Sequence, residues 1–138
     1  MSIQSLAHVC IKTKDLAATA DFYCNALGMS KRFNFLRKGT VIGFYLQAAN
    51  TTFIEVFHAD EVEPVGKQVL SHFCLQSDSL ESLRKRLIDR GHAPGAITMG
   101  ADHTLQFWMK DPNGLDVEFQ EYSDRSTQLT GEDVEVNW

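Results

Sequence analysis

The chain of 138 residues has the length of one compact domain, and its 43% hydrophobic content is enough to bury a core. Thirteen Lys and Arg against eighteen Asp and Glu give a formal charge of −5, and the longest basic run is only Arg84-Lys85-Arg86, so nucleic acid and anionic membrane surfaces are excluded as expected partners. Cys10, Cys24 and Cys74 are odd in number and widely spaced, and neither an apolar leader nor a membrane-length run is legible, so a cytoplasmic setting is expected.

The first element is a strand at Leu6 to Thr13, rich in β-formers. A helix follows, capped by Asp15 and closed near Gly28. Strands are then expected at Lys31 to Arg37, Val41 to Gln47 and Thr52 to His58, with Lys38-Gly39 as a turn. Ala59 to Lys67, with Pro64 and Gly66, reads as a linker. A second strand-helix unit begins at Leu70, with Asp78 and Glu81 resembling a capping box and Gly91 ending the helix. Strands at Ala96 to Met99, Thr104 to Lys110 and Leu115 to Tyr122 complete it, the last two joined by Asp111-Pro112-Asn113-Gly114. The polar, acidic tail after Ser123 is expected to lie on the surface or fray.

The second half repeats the first. Leu6-Ala7-His8-Val9-Cys10-Ile11-Lys12-Thr13 aligns with Leu70-Ser71-His72-Phe73-Cys74-Leu75-Gln76-Ser77 at a shift of 64, with Leu, His and Cys identical. After a one-residue slip, Gly28 meets Gly91 and Glu55 meets Glu118 at a shift of 63. An ordered set of this kind marks a duplicated unit. The expected fold class is α+β, a single domain over 1–138 built from two βαβββ modules, about 4–58 and 69–122, with a tail at 123–138.

Within each strand, residues two apart share a face, so His8 lies with Cys10 and Lys12, and His72 with Cys74 and Gln76. Glu55 interrupts the apolar run Phe53-Ile54-Glu55-Val56-Phe57, where an unpartnered buried carboxylate is expensive. Glu118 repeats the anomaly beside Val117 and Phe119. A lone strand His is more often a hydrogen-bonded core residue, and a lone Glu often points to solvent. Two matched His/Glu pairs instead point to His8, Glu55, His72 and Glu118 as ligands of one divalent metal ion. Cys10 and Cys74 are weighed as packing residues, Phe107, Trp108 and Phe119 as core or cavity lining, and Lys31, Arg32 and Arg37 as exposed charge.

His8 followed by Asp15-Leu16, Asp21-Phe22-Tyr23 and Leu27-Gly28-Met29, then His72, and Asp111-Pro112-Asn113-Gly114 leading to Glu118, together resemble the vicinal oxygen chelate superfamily. That superfamily includes glyoxalase I, extradiol dioxygenases, and bleomycin- and fosfomycin-resistance proteins. The resemblance runs from Leu6 to Tyr122 and implies paired βαβββ modules forming a curled mixed sheet around a metal pocket, often in a homodimer. The His, Glu, His, Glu order is most similar to bacterial-type glyoxalase I (lactoylglutathione lyase). It implies isomerisation through an enediolate, with Glu118 and Glu55 as catalytic carboxylates and Ni²⁺ or Co²⁺ favoured over Zn²⁺. A dioxygenase, a thiol transferase, and a metal-free drug-sequestering module are the alternatives. Lys12, His103 and Trp108 are the candidate substrate contacts; for His103 an exposed loop residue is the preferred reading. The family's glutathione-binding pattern is departed from at Lys12, where it often has Arg, at Ala59, where it has Asn, and across Gly100 to Thr104, which lacks its basic residue.

Overall fold

Strand-forming residues at both ends of each half pair with each other, so each half makes its own sheet. A computed structural model describes residues 4–64, 66–67 and 69–136. The chain divides into two compact units, 1–67 and 68–138, each holding one module; Val65 of the expected linker, Gln68, Met1 to Ile3 and the last two tail residues lie outside the described residues.

In the first unit, β1 (His8–Thr13) leads into α1 (Leu16–Ala20), then β2 (Ser30–Arg37), β3 (Thr40–Ala49) and β4 (Thr52–His58). The strand order is β1-β4-β3-β2, with β1 parallel to β4 and the other pairs antiparallel. The second unit repeats this with β5 (His72–Gln76), α2 (Leu80–Asp89), β6 (Thr98–Met99), β7 (Leu105–Lys110) and β8 (Asp116–Glu121), ordered β5-β8-β7-β6. Each unit is thus a four-stranded mixed sheet of the α+β, βαβββ kind. A parallel first-to-last pairing demands a crossover connection, and the helix supplies it.

Local chemistry explains the helix starts. Asp15 caps α1, its carboxylate accepting from the Ala18 amide at 2.9 Å. In α2 the cap is Ser79, which accepts from the Ser82 amide at 3.2 Å, and not Asp78. The reason is visible two residues before the cap in each copy. The Thr13 hydroxyl accepts from the Asp15 amide at 3.0 Å, and the Ser77 hydroxyl accepts from the Ser79 amide at 3.2 Å. The turn is conserved between the copies, so the cap follows at the matching shift of 64. After Ala20 the first helix continues as a π-helical segment, Asp21–Ala26, which buries Phe22, Tyr23 and Ala26.

One face of each sheet carries the core. Ile11, Phe44, Leu46, Ile54 and Val56 are buried in the first unit, where α1 packs on β4. Phe107, Val117 and Phe119 are buried with Leu80 and Leu87 in the second, where α2 packs on β7 and β8. Lys38 (φ 48°) and Gly39 (φ 80°) make the expected tight hairpin between β2 and β3, where both central residues need positive φ. The Asp111 carboxylate accepts from the amides of Asn113 and Leu115 at 2.8 and 2.9 Å, fixing the turn into β8. Part of the tail is docked rather than frayed. A short α3 (Thr127–Thr130) is tied to the turn before β7 by Gln128, which donates to Asp102 at 2.6 Å and accepts from the Thr104 hydroxyl at 2.9 Å.

Gly43 is demanded by a close approach. It lies between Phe35 on β2 and Phe57 on β4 in register, and the two rings meet over it with centroids 4.5 Å apart. A Cβ there would collide with the Val56 carbonyl and come within 2.8 Å of Phe57 Cδ1. Gly43→Ala is therefore expected to destabilise the chain by about 1–3 kcal/mol, read as a lowered urea midpoint, because backbone has to move. An unchanged midpoint would show that β3 and β4 separate freely at this point.

Candidate functional site

The period-2 alternation that buries Ile11 and Thr13 turns His8, Cys10 and Lys12 to the open face of β1. In register, Cys10 pairs with Glu55, which pairs in turn with Tyr45 on β3. The second unit reproduces the row: Cys74 pairs with Glu118, which pairs with Trp108. Each unit therefore sets a His, a Cys, a Glu and an aromatic ring together.

The geometry matches closely. His8 Nε2 lies 3.6 Å from Glu55 Oε2, and His72 Nε2 lies 3.6 Å from Glu118 Oε2. These contacts are too long to be hydrogen bonds, so the donor atoms converge without consuming each other. The opposite ring nitrogen is anchored in each case, His8 Nδ1 by Tyr45 Oη at 3.1 Å and His72 Nδ1 by Ser71 Oγ at 2.7 Å. Trp108 stands edge-on to His72 with centroids 4.7 Å apart. The Glu118 side chain is 10% exposed against 21% for Glu55, and its Oε1 accepts from Gln120 Nε2 at 3.1 Å.

Both thiols on these faces are held protonated. Burial, then charge repulsion and hydrogen bonding with Glu118, pushes Cys74 up to about 12. Burial and hydrogen bonding with Glu55 raise Cys10 as well, partly opposed by the positive charge of Lys12. Neither thiol is poised as a thiolate nucleophile. Tyr122 is raised by burial and by its proximity to Cys74, Asp102 and Glu118.

Of the residues expected from sequence, His8 with Glu55 and His72 with Glu118 are brought together, and Lys12 and Trp108 share their faces. His103 sits at an exposed turn with φ 58°, and among the described residues no hydrogen bond or ion pair joins it to His72 or Glu118. Phe107 and Phe119 stack in the core, 4.7 Å apart, rather than lining an open face. Lys31 turns its ammonium over the Phe44 ring at 4.7 Å. Tyr45 and Ser71 escaped the sequence reading; the 63-residue shift that matches Tyr45 with Trp108 is the signal that finds the first.

An anchored imidazole with a free Nε2 beside a carboxylate is the donor chemistry of a borderline divalent ion, with the second hydrogen bond fixing ring orientation. The residues of each pair fit such a group. Among the described residues no group of three or more His, Cys, Asp or Glu side chains is close enough to hold a metal.

The chain is thus built from duplicated βαβββ units, each presenting a His/Glu pair on its open face. Residues 5–119 match the model of the glyoxalase/bleomycin resistance protein/dioxygenase superfamily, and the chain belongs to that superfamily. Solved structures share the fold. A glyoxalase family protein from Enterococcus faecalis superposes with a TM-score of 0.74 at 22% identity, covering 88% of this chain and 100% of the other. Lactoylglutathione lyase from Agrobacterium tumefaciens gives 0.68 at 16%, covering 88% and 96%. TnmS3, an antibiotic-binding protein from Streptomyces sp. CB03234, gives 0.69 at 20%, covering 89% and 99%. No curated protein sequence matches significantly. No helix among the described residues is long and apolar enough to cross a membrane.

Proposed function

We propose that the protein is a divalent-metal-dependent lyase or isomerase of glyoxalase I type, acting on a hemithioacetal or related small molecule with vicinal oxygens. The observation that carries this reading is the duplicated pair, in which His Nε2 and Glu Oε2 converge at 3.6 Å while the other ring nitrogen is held. His8, Glu55, His72 and Glu118 are the proposed ligands, with Ni²⁺ or Co²⁺ favoured and Zn²⁺ admissible. When bound, the ion supplies Lewis-acid polarisation of a substrate oxygen. Glu118 is the proton carrier between adjacent carbons, because it is the more enclosed carboxylate and Gln120 holds one of its oxygens in place. Glu55, more open, is a ligand and second proton carrier. Tyr45 and Ser71 orient the imidazoles. A cytoplasmic homodimer is part of the same proposal.

Purified without chelator, the protein is expected to take up one equivalent of Ni²⁺ or Co²⁺ per site, measured by elemental analysis, and His8→Ala is expected to abolish uptake. Turnover of methylglyoxal with glutathione then tests the substrate. No stoichiometric metal under any loading condition would reject the reading, and bound metal with no turnover would reject the glutathione adduct alone.

A metal-free binding module is the second reading. It is favoured by the ring-covered open face of the first unit and by a structural likeness to an antibiotic-binding protein.

A further inference from the structure

The open face around His8 and Glu55 is paved with aromatic rings. Tyr45 stacks between Phe33 and Phe53, with centroids 4.9 and 5.0 Å apart and planes within 27°. Phe35 stands edge-on to Phe33 at 5.2 Å and leans on Phe57 at 4.5 Å. None of these rings is buried, and Phe33 is 48% exposed.

The fold does not require this paving. At the matching shift of 63, Phe33, Phe35, Phe53 and Phe57 are replaced by Ala96, Thr98, Asp116 and Gln120, and the second unit builds the same sheet without the rings. Five clustered rings left partly in water forgo the burial that ordinarily places aromatics in cores, and a patch of that kind marks a binding surface. Its charge is equally specific. Lys12 is the register partner of Phe57, is exposed, and has no ion-pair partner among the described residues. The matching residue in the second unit is the neutral Gln76.

We infer that the open face of the first unit binds a planar aromatic anion, its ring system lying on the Phe33, Phe35, Tyr45 and Phe57 rings and its carboxylate or phenolate meeting Lys12. This rests on the proposed reading of that face as the substrate side of the His8 and Glu55 pair, and gives the substrate an aromatic acid character. It also gives a reason why the glutathione-type contacts are missing from the chain.

The test uses 2-naphthoate, titrated against the whole protein by calorimetry in buffer containing EDTA, so that the readout is independent of metal. Saturable binding is expected, with neutral 2-naphthamide about ten-fold weaker. Lys12→Gln is expected to bring naphthoate down to the naphthamide affinity without altering naphthamide itself, and Lys12→Arg to restore the difference. Phe33→Leu and Phe57→Leu are each expected to weaken both probes by about ten-fold. Cyclohexanecarboxylate binding as tightly as naphthoate would overturn the inference, as would indifference to Lys12→Gln. So would self-association in sedimentation velocity that the Phe variants abolish and naphthoate leaves unchanged. Loss of naphthoate binding in protein that still takes up stoichiometric metal rejects the aromatic face alone. Absence of metal with naphthoate still bound rejects the lyase reading alone.

Discussion

Glu118→Gln is expected to lower kcat by about 10²–10⁴-fold, the range contributed by a positioned proton carrier. The substitution keeps the size of the side chain and leaves a carbonyl oxygen able to accept from Gln120 Nε2, so the sheet register around β8 has no reason to change. Metal content measured on the same sample separates the two roles assigned to the carboxylate. Metal retained with turnover lost identifies proton transfer; metal lost identifies ligation. Glu55→Gln is the internal comparison, and because Glu55 is more open its effect on kcat is expected to be smaller. Equal losses from the two substitutions would overturn the assignment of the proton to Glu118.

Phe107→Ala is expected to cost about 3–5 kcal/mol, a large fraction of what holds a small domain folded. Phe107 is completely buried and stacks on Phe119 with planes 17° apart, so truncation leaves a ring-sized void between β7 and β8. Both tryptophans, Trp108 and Trp138, fall in the second half of the sequence, so urea unfolding followed by tryptophan fluorescence reports on the half that carries the change. A midpoint shift below that of Gly43→Ala would show that the void collapses.

The four candidate site residues are legible because a duplication prints one His and one Glu twice, and because a carboxylate inside Phe53 to Phe57 breaks an apolar pattern. The sheet followed from the same alternation. Side chains on neighbouring strands were not legible, since register is set by the pairing of distant segments. Hence Trp108 and Phe107, adjacent in sequence, could not be told apart by residue type: one stands beside His72 and the other is core. At the start of α2, Asp78 and Ser79 are both good capping residues, and only the Ser77 turn decides between them. The aromatic face stayed hidden for a related reason. Phe33, Phe35 and Phe57 look like core from composition, and only the pairing of β2, β3 and β4 gathers them on the open face.

Each His and its Glu sit on the first and last strands of a unit, 47 and 46 positions apart along the chain, and meet through a parallel pairing. Contacts of that span are slow to form, because a long loop has to close before anything compensates for its lost entropy. Neither pair can exist in a half-made unit. During synthesis neither His can meet its Glu until the last strand of its own unit has emerged, so the first pair is available well before the second.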